Sequence, residues 1–379
     1  MAFLTYIQLP FGYLLPFLAA LTIIVFVHEL GHFLVARWCG VTVEVFSIGF
    51  GREIYGWNDR HGTHWKICWL PLGGYVKFEG DANATSLPQA VSENTTVRSP
   101  GNFHGKPVWR RAAVVAAGPI ANFILAILIF AVVFMLIGIP MIEPRAESVI
   151  PGSAAEKAGV KPGDLVTAVD GQKIETFSDL QQAVWTRGGE QLTIVIDRQG
   201  TALSLQLVPD IKMEPDGFGG TVKIGLLGIQ RAADNENSKV QRLSPVAAVS
   251  RGAGETGRII SITFKYLGKL VTGNESSKQI GGAISMAKGA GDAASSGIAR
   301  FAAYVAFLSV SVGLINLFPI PMLDGGHLVY FAIETVLGKP LGQQAQEWGF
   351  RVGLSLVVML MAFGFWNDLT RVFAMMVGS

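Results

Sequence analysis

The sequence contains little charge and almost no cysteine. Only 15% of its 379 residues are charged, against about a quarter in soluble proteins, so the composition is not that of an ordinary soluble protein. Two cysteines are too few for a disulfide-stapled fold. The formal net charge of +2 gives no strong basic field, and we therefore expect no nucleic-acid partner.

Apolar residues make up 50% of the chain, and they are concentrated in long runs. Residues 1–27, 112–142 and 301–323 contain no charge, and each run exceeds the roughly 20 residues that a helix needs to cross a bilayer. A shorter run, 352–367, is apolar enough to span together with its flanks. The sequence therefore predicts a polytopic α-helical membrane protein with four transmembrane helices.

The N-terminal run predicts a membrane span rather than a cleaved signal peptide. A signal peptide needs a positively charged start and a small-residue cleavage site, whereas the first basic residue here is Arg37. Proline suits the first turn of a helix, so we expect the first helix to begin near Tyr13 or Pro16.

The distribution of basic residues predicts the orientation of the chain. The segment from Arg37 to Arg111 carries nine Lys or Arg, which places it in the cytoplasm by the positive-inside rule. Four spans then place both termini, and the segment from Glu143 to Arg300, on the outer side of the membrane.

Patterning divides the chain into membrane helices and the segments between them. In order, these are a first membrane helix (1–37), a cytoplasmic loop with a β-sheet at the membrane (38–111), a second membrane helix (112–142), a small outer α+β module (143–210), a linker with an amphipathic helix at the membrane surface (211–300), a third membrane helix (301–326), and a cytoplasmic connection with the fourth membrane helix (327–379).

Local signals predict elements inside the loop and the module. In the loop we expect strands at Val41–Phe46, His64–Leu70 and Tyr75–Phe78, turns at Gly49–Gly51 and Pro71–Gly74, and a polar surface loop at Asp81–Gly105. In the module and linker we expect a helix at Ser153–Ala158 between a Ser153 cap and Gly159, a strand at Leu165–Val169, a helix at Phe177–Thr186, a hairpin of Gln191–Ile196 with Ala202–Leu207, a linker at Asp210–Gly220, a strand at Val222–Ile229, and an amphipathic helix at Val249–Leu270.

The strongest chemical signal is the run His-Glu-Leu-Gly-His at the end of the first predicted span. On a helix, His28 and His32 share one face and can bind one zinc ion, while Glu29 lies beside the open coordination position. This arrangement is typical of a metalloprotease. The alternative is a helix end whose histidines reach the membrane interface.

A zinc site needs a third protein ligand. The candidates are Asp324, His327, Cys39, Cys68, His61, His64 and His104. Asp324 is favoured because it follows the third span in a segment where Pro319 and Pro321 must break the helix, and such backbone at membrane depth lines a polar site. Two alternatives remain: Asp324 caps the next helix, or the cysteines form a structural Cys2His2 zinc site rather than packing as reduced thiols.

Asparagine occurs inside two of the predicted spans. An amide in a membrane helix needs a hydrogen-bond partner, and Asn122 and Asn316 are equally suited to orienting a substrate strand, bracing the zinc ligands, or joining two helices.

Together these motifs resemble the site-2 protease family of intramembrane zinc metalloproteases. The resemblance covers most of the chain and is carried by His28–His32, Gly49–Gly51, Pro71–Lys77, Gly118–Phe123, Ile280–Gly289 and Asn316–His327. It implies that His28, His32 and Asp324 bind one Zn²⁺ per chain and that Glu29 is the general base. It also implies that the Glu44–Phe78 sheet is a membrane-dipping β-hairpin that presents substrate.

The resemblance further implies that the outer module is a PDZ domain over Pro151–Pro209, present once where well-known members have two. The expected function is regulated intramembrane proteolysis of single-span proteins, such as anti-sigma factors already trimmed outside the membrane, with release of a cytoplasmic fragment. The expected location is the bacterial inner membrane, in contact with lipid, with the PDZ domain and both termini in the periplasm. The alternatives are a catalytically silent PDZ-bearing scaffold and a zinc transporter.

Overall fold

The computed structural model describes residues 2–80, 99–140, 142–215, 221–230, 240–272 and 281–377. The chain forms two compact units, which are described separately. The first comprises Met1–Val133, Pro245–Ser276 and Gly281–Asp368, and the second comprises Phe134–Ser244, Ser277–Ile280 and Leu369–Ser379.

The described residues contain helices and strands in the following order. The helices are α1 (Ala2–Trp38), α2 (Val108–Leu136), α3 (Ala154–Lys157), α4 (Phe177–Trp185), α5 (Pro245–Val271), α6 (Ala283–Ser295), α7 (Ile298–Leu317), α8 (Asp324–Leu337) and α9 (Gln343–Val377). The strands are β1 (Val43–Asn58), β2 (His64–Phe78), β3 (Ile139–Pro140), β4 (Ser148–Val149), β5 (Leu165–Val169), β6 (Gln172–Lys173), β7 (Leu192–Arg198), β8 (Thr201–Leu207), β9 (Asp210–Pro215), β10 (Thr221–Leu226), β11 (Ile229–Gln230) and β12 (Val240–Gln241).

Within the described part of the chain, four helices are long and apolar enough to cross a membrane, as the sequence predicts. The candidate spans are Phe11–Trp38, Val108–Leu136, Ile298–Leu317 and Gln344–Phe373. They differ from the predicted bounds because helices continue past charged residues, so that α2 includes Arg110 and Arg111, and because α7 ends before two prolines.

The predicted start of the first helix is wrong. Helix α1 begins at Ala2 rather than near Tyr13 or Pro16, so Pro10 and Pro16 lie within it. Each proline removes one intrahelical hydrogen bond, and membrane helices tolerate that loss where neighbouring groups satisfy the freed carbonyls.

Strands β1 and β2 form one sheet in which each strand folds back on itself. Val45–Ile48 of β1 pairs with both ends of β2, His64–Ile67 and Gly74–Lys77. Val45–Ile48 runs parallel to His64–Ile67, whereas Tyr55–Asn58 runs antiparallel to that segment, so β1 reverses direction between Ile48 and Glu53, and β2 reverses between Ile67 and Gly74. The predicted turns at Gly49–Gly51 and Pro71–Gly74 are therefore confirmed, although these residues are assigned to continuous strands.

Glycines allow the chain to reverse direction at those positions. Gly49 has φ +88° and Gly73 has φ +112°, values that side-chain-bearing residues rarely adopt. The chain reverses at residues 59–63, where the Asp59 carboxylate accepts the backbone N–H groups of His61 and Thr63 at 2.8 and 3.0 Å. Residues 81–98 of the predicted polar loop lie outside the described part of the chain.

An aromatic cluster joins the sheet to α1. Phe46 of β1 is fully buried, stacks on Trp65 at 4.2 Å between ring centroids, and meets Phe33 of α1 edge-on at 5.5 Å. Edge-to-face and stacked pairs of this kind add about 1 kcal/mol each beyond the area they bury. The packing holds the sheet against the helix that carries the His-Glu-Leu-Gly-His run.

The second unit contains a four-stranded sheet in the order β6-β5-β7-β8. Its core is formed by alternating residues of these strands together with α4, and includes Val166, Ile194, Ile196 and Leu180. The Ser153 side chain accepts the backbone N–H of Glu156 at the start of α3, as predicted.

The remaining strands correct one prediction. Asp210–Pro215, expected as the start of a linker, forms β9 and pairs antiparallel with β10. Residues 216–220 of that linker lie outside the described residues. The predicted strand at Val222–Ile229 is divided into β10 and β11, and β11 pairs with β4.

In the first unit, the predicted amphipathic helix is found as the longer α5. Its Gly252 lies so close to α2 that a Cβ there would be 2.7 Å from the carbonyl oxygen of Ile127.

Candidate metal centre

Helix α1 places two histidines side by side. His28 and His32 are both buried, and their Nε2 atoms are 3.2 Å apart. Neighbouring turns of a helix bring residues i and i+4 together, so the spacing in the sequence alone accounts for the pair.

The third predicted ligand, Asp324, lies at the break between α7 and α8. Helix α7 ends at Leu317 and α8 begins at Asp324, with Pro319 and Pro321 in the intervening segment. The Asp324 Oδ2 atom lies 3.1 Å from Nε2 of His28 and 3.6 Å from Nε2 of His32. The capping alternative differs from the structure, because the cap residue of α8 is Leu323 and no side chain caps this end.

The three donor atoms have the geometry that zinc requires. Ligand atoms about 2.0–2.1 Å from a tetrahedral zinc ion are about 3.3–3.4 Å apart, and the observed separations are 3.1, 3.2 and 3.6 Å. Two imidazoles and one carboxylate are typical ligands of a catalytic zinc. In addition, Oδ2 of Asp324 is buried without a hydrogen-bond partner, which is costly unless a cation binds there. The residues therefore fit the ion.

Helix α2 passes directly against the two imidazoles at Gly118. A Cβ at this position would overlap Nε2 of His32 and would lie 2.9 Å from Cε1 of His28. In the sequence, Gly118 stands out only as the first residue of the Gly118–Phe123 motif, and its contact with the two histidines could not be deduced.

Helix α2 also contacts the other ring nitrogen of each histidine. The Val114 carbonyl oxygen is 2.8 Å from Nδ1 of His32, and the Asn122 amide nitrogen is 3.2 Å from Nδ1 of His28. Asn122 is fully buried, and its backbone carbonyl accepts the Ser309 hydroxyl of α7 at 2.8 Å.

Glu29 lies beside both the histidines and the sheet. Its carboxylate lies close to the backbone of Val76, and a Cβ at Gly74 would be 3.4 Å from its Cγ atom. The end of β2 therefore lies next to the predicted general base.

The other predicted site residues, Asn316, Pro319 and Pro321, do not join His28, His32 and Asp324. Asn316 is half-buried near the end of α7, Pro319 is exposed, and Pro321 packs its backbone against Gly353 of α9. Among the described residues, His28, His32 and Asp324 are the only group of three metal-binding side chains in reach of one another.

The other candidate ligands lie elsewhere. Cys39 is buried in an apolar cluster, and Cys68 has its Sγ atom 3.5 Å from the Ser47 hydroxyl. His64 contacts Asn58 and Glu53. Neither cysteine belongs to a described Cys2His2 group.

Sequence reasoning missed an ion pair that holds α8 in place. Arg111 of α2 donates to both carboxylate oxygens of Glu334, at 3.1 and 2.5 Å, and both side chains are largely buried. The partners are 223 residues apart, so no local pattern could have joined them.

Three side chains in reach of one metal ion, two of them on a candidate membrane span, with a carboxylate beside them, are the arrangement expected of a membrane metallohydrolase. The model of peptidase family M50 matches residues 16–360, which is most of the chain. The chain belongs to peptidase family M50, and it is a multi-pass membrane metalloprotease.

Relatives from several bacteria match nearly the whole chain. A protein of Agrobacterium fabrum named as a candidate zinc metalloprotease is 46% identical over 95% of this chain and 96% of its own. The metalloprotease MmpA of Caulobacter vibrioides is 39% identical over 94% and 95%. The regulator of sigma-E protease RseP of Escherichia coli is 32% identical over 94% and 98%.

Proposed function

We propose that the chain is a zinc metalloendopeptidase that cleaves single-span membrane proteins within the bilayer. One Zn²⁺ is held by His28, His32 and Asp324, and Glu29 is the general base. The convergence of three donor atoms 3.1 to 3.6 Å apart, two of them on a helix long enough to span a membrane, carries this proposal. The names of the zinc metalloprotease relatives support the choice of metal.

Each residue of the site has its own role in peptide hydrolysis. Bound zinc supplies a Lewis acid that polarises the scissile carbonyl and lowers the pKa of water to about 7. Glu29 accepts the proton of the attacking water and delivers it to the leaving amine. His28 and His32 pack against α2, and Asp324 is the first residue of α8. These three residues therefore fix the position of the reaction beside Glu29.

The β1–β2 sheet supplies a surface for an unwound substrate. A helical substrate hides its carbonyls in internal hydrogen bonds, so the cleaved segment must be extended. Gly74–Lys77 pairs with β1, and the backbone of Val76 within this segment lies close to Glu29. A substrate strand added beside Gly74–Lys77 is brought to the general base, as in other cases of β-strand addition. We propose that this sheet is the membrane-associated hairpin.

We propose that residues 143–210, which lie in the second unit, form a single periplasmic PDZ domain. Its four-stranded sheet with α3 and α4 is compatible with that fold. The alignment with the Escherichia coli protein extends over 455 positions, more than this chain has, so that protein contains segments with no counterpart here. The location we propose is the bacterial inner membrane with both termini in the periplasm, and pre-trimmed anti-sigma factors are candidate substrates.

Cleavage of a single-span reporter with a truncated outer domain tests the proposed activity. Wild-type protein in detergent is expected to cleave it, whereas Glu29→Gln is expected to bind zinc and to leave the reporter intact. Equal cleavage by both proteins contradicts the role of Glu29. Absence of cleavage by both, with zinc bound, favours the scaffold alternative.

The extended-substrate mechanism has its own test. A reporter whose membrane span has helix-weakening residues near the cut is expected to be cleaved faster than an otherwise identical reporter with a poly-leucine span. Equal rates for the two reporters would show that local unwinding is not part of the reaction.

A further inference from the structure

Helix α2 contacts the metal ligands through three residues on one face. Val114, Gly118 and Asn122 are spaced four residues apart, so they align along the helix. Val114 contacts Nδ1 of His32, Gly118 makes room for both rings, and Asn122 contacts Nδ1 of His28. The same helix therefore contacts the Nδ1 atoms of both imidazoles.

The two contacts differ in which ring nitrogen of the histidine they leave protonated. The Val114 carbonyl can only accept, so Nδ1 of His32 carries the proton and Nε2 presents a lone pair to a metal. At His28, the amide nitrogen of Asn122 faces Nδ1 at 3.2 Å, while Oδ1 of the same amide is buried without a partner. This orientation leaves the proton on Nε2 of His28, where a metal must bind.

A half-turn of the amide resolves both conflicts at once. Rotation about the Cβ–Cγ bond of Asn122 exchanges Oδ1 and Nδ2 with little other movement. Oδ1 then accepts the proton of His28 Nδ1, the unpartnered oxygen gains a donor, and Nε2 becomes free to bind metal.

We propose that Asn122 is a positioning residue for zinc, which it serves by accepting a hydrogen bond from Nδ1 of His28. The proposal rests on the proposed zinc site and deepens it. It selects one of the three roles open to this amide, namely bracing of a ligand rather than substrate binding or the joining of two helices. The helix-joining contact in this region is made by the backbone of Asn122 and Ser309, and therefore does not need the amide.

Zinc affinity distinguishes these roles, because it is measured without substrate. Asn122→Asp keeps an acceptor next to Nδ1 of His28, and carboxylate–histidine–zinc arrangements are common in proteins. Asn122→Leu keeps the volume but removes the acceptor. Ser309→Ala is the matched control, since it alters the same helix crossing without touching a ligand.

The four full-length proteins are purified in detergent, and zinc dissociation constants are measured by competition with a chromophoric chelator. We expect Asn122→Leu to bind zinc about 10- to 100-fold more weakly, the effect typical of lost partners of metal ligands. We expect Asn122→Asp and Ser309→Ala to stay within about 3-fold of wild type, well below that range. If Asn122→Leu does not fold, Asn122→Ala takes its place.

Two results overturn the inference. One is that Asn122→Leu binds zinc as tightly as wild type does, in which case the Asn122 amide serves substrate binding or packing instead. The other is an equal loss in Asn122→Asp and Asn122→Leu, which shows that the acceptor is not what matters. A wild-type protein that binds no zinc instead refutes the proposed function itself, and so the two failures are distinguishable.

Discussion

Gly118→Ala tests the packing of the metal centre more sharply than removal of a ligand. The substitution adds one methyl group in a helix, where alanine is normally favoured over glycine by about 1 kcal/mol. Here, however, the methyl carbon would overlap Nε2 of His32 and would lie 2.6 Å from its Cε1 atom. Carbon atoms pack at about 3.5–4.0 Å, so the His32 ring must move by about 1 Å.

That movement is large compared with what a zinc site tolerates. Ligand distances must hold to within about 0.2 Å, and a misplacement of about 1 Å typically costs about 100-fold in rate. We therefore expect Gly118→Ala to fold, to bind zinc far more weakly, and to lose at least about 100-fold in kcat/KM on the reporter. Zinc titration and reporter cleavage measure the two effects.

Gly257→Ala is the matched control. Gly257 lies in α5, and a methyl group added there would meet no other described part of the chain within 4 Å, so this variant is expected to match wild type in zinc affinity and cleavage. If Gly118→Ala also binds zinc and cleaves as wild type does, then α2 does not pack against the imidazoles as described, and the reasoning is refuted.

Three further predictions concern the parts that support the site and the outer module. Arg111 and Glu334 form a largely buried ion pair, and removal of one partner, as in Glu334→Gln, is expected to lower the free energy of unfolding by about 3 kcal/mol. A double variant in which the two residues exchange places is expected to recover part of this loss. The Arg198 guanidinium donates to both carboxylate oxygens of Asp164 at 2.8 and 2.7 Å and holds the pKa of that carboxyl below its ordinary value. A depressed pKa contributes stability above the unfolded value of about 3.9 that is lost as the pH falls below it. The protection factors of the amides in β5, which correct for the slower intrinsic exchange in acid, should therefore fall with pH in wild type and depend less on pH in Asp164→Asn. Asp368 of α9 accepts three backbone N–H groups at 2.9–3.2 Å around the start of α6, and Asp368→Ala is expected to expose that start to hydrogen exchange while α7 stays protected.

The parts of the site that follow from local rules were predictable from the sequence. His28 and His32 are four residues apart on one helix, so their pairing needs no knowledge of the rest of the fold. The break before Asp324 also follows from local chemistry, because two prolines cannot continue a membrane helix. The four spans follow in the same way from run lengths alone.

The contacts between distant segments were not predictable. Asn122 was recognised as an amide in need of a partner, but its neighbour His28 is 94 residues away, and three roles stayed open. The turns at Gly49–Gly51 and Pro71–Gly74 were predicted, but the pairing of Val45–Ile48 with both His64–Ile67 and Gly74–Lys77 was not, because no local pattern specifies which segments lie side by side in the sheet. In each case the deciding interaction is tertiary.

The central claim is that His28, His32 and Asp324 hold one zinc ion, and X-ray absorption at the zinc edge of the purified protein tests it most directly. The account predicts one zinc per chain with two imidazoles and further oxygen or nitrogen ligands at about 2.0–2.1 Å, and a changed or lost signal in Asp324→Ala. A sulfur ligand at about 2.3 Å, which only a cysteine or methionine can supply, would contradict it, as would a zinc environment that Asp324→Ala leaves unchanged.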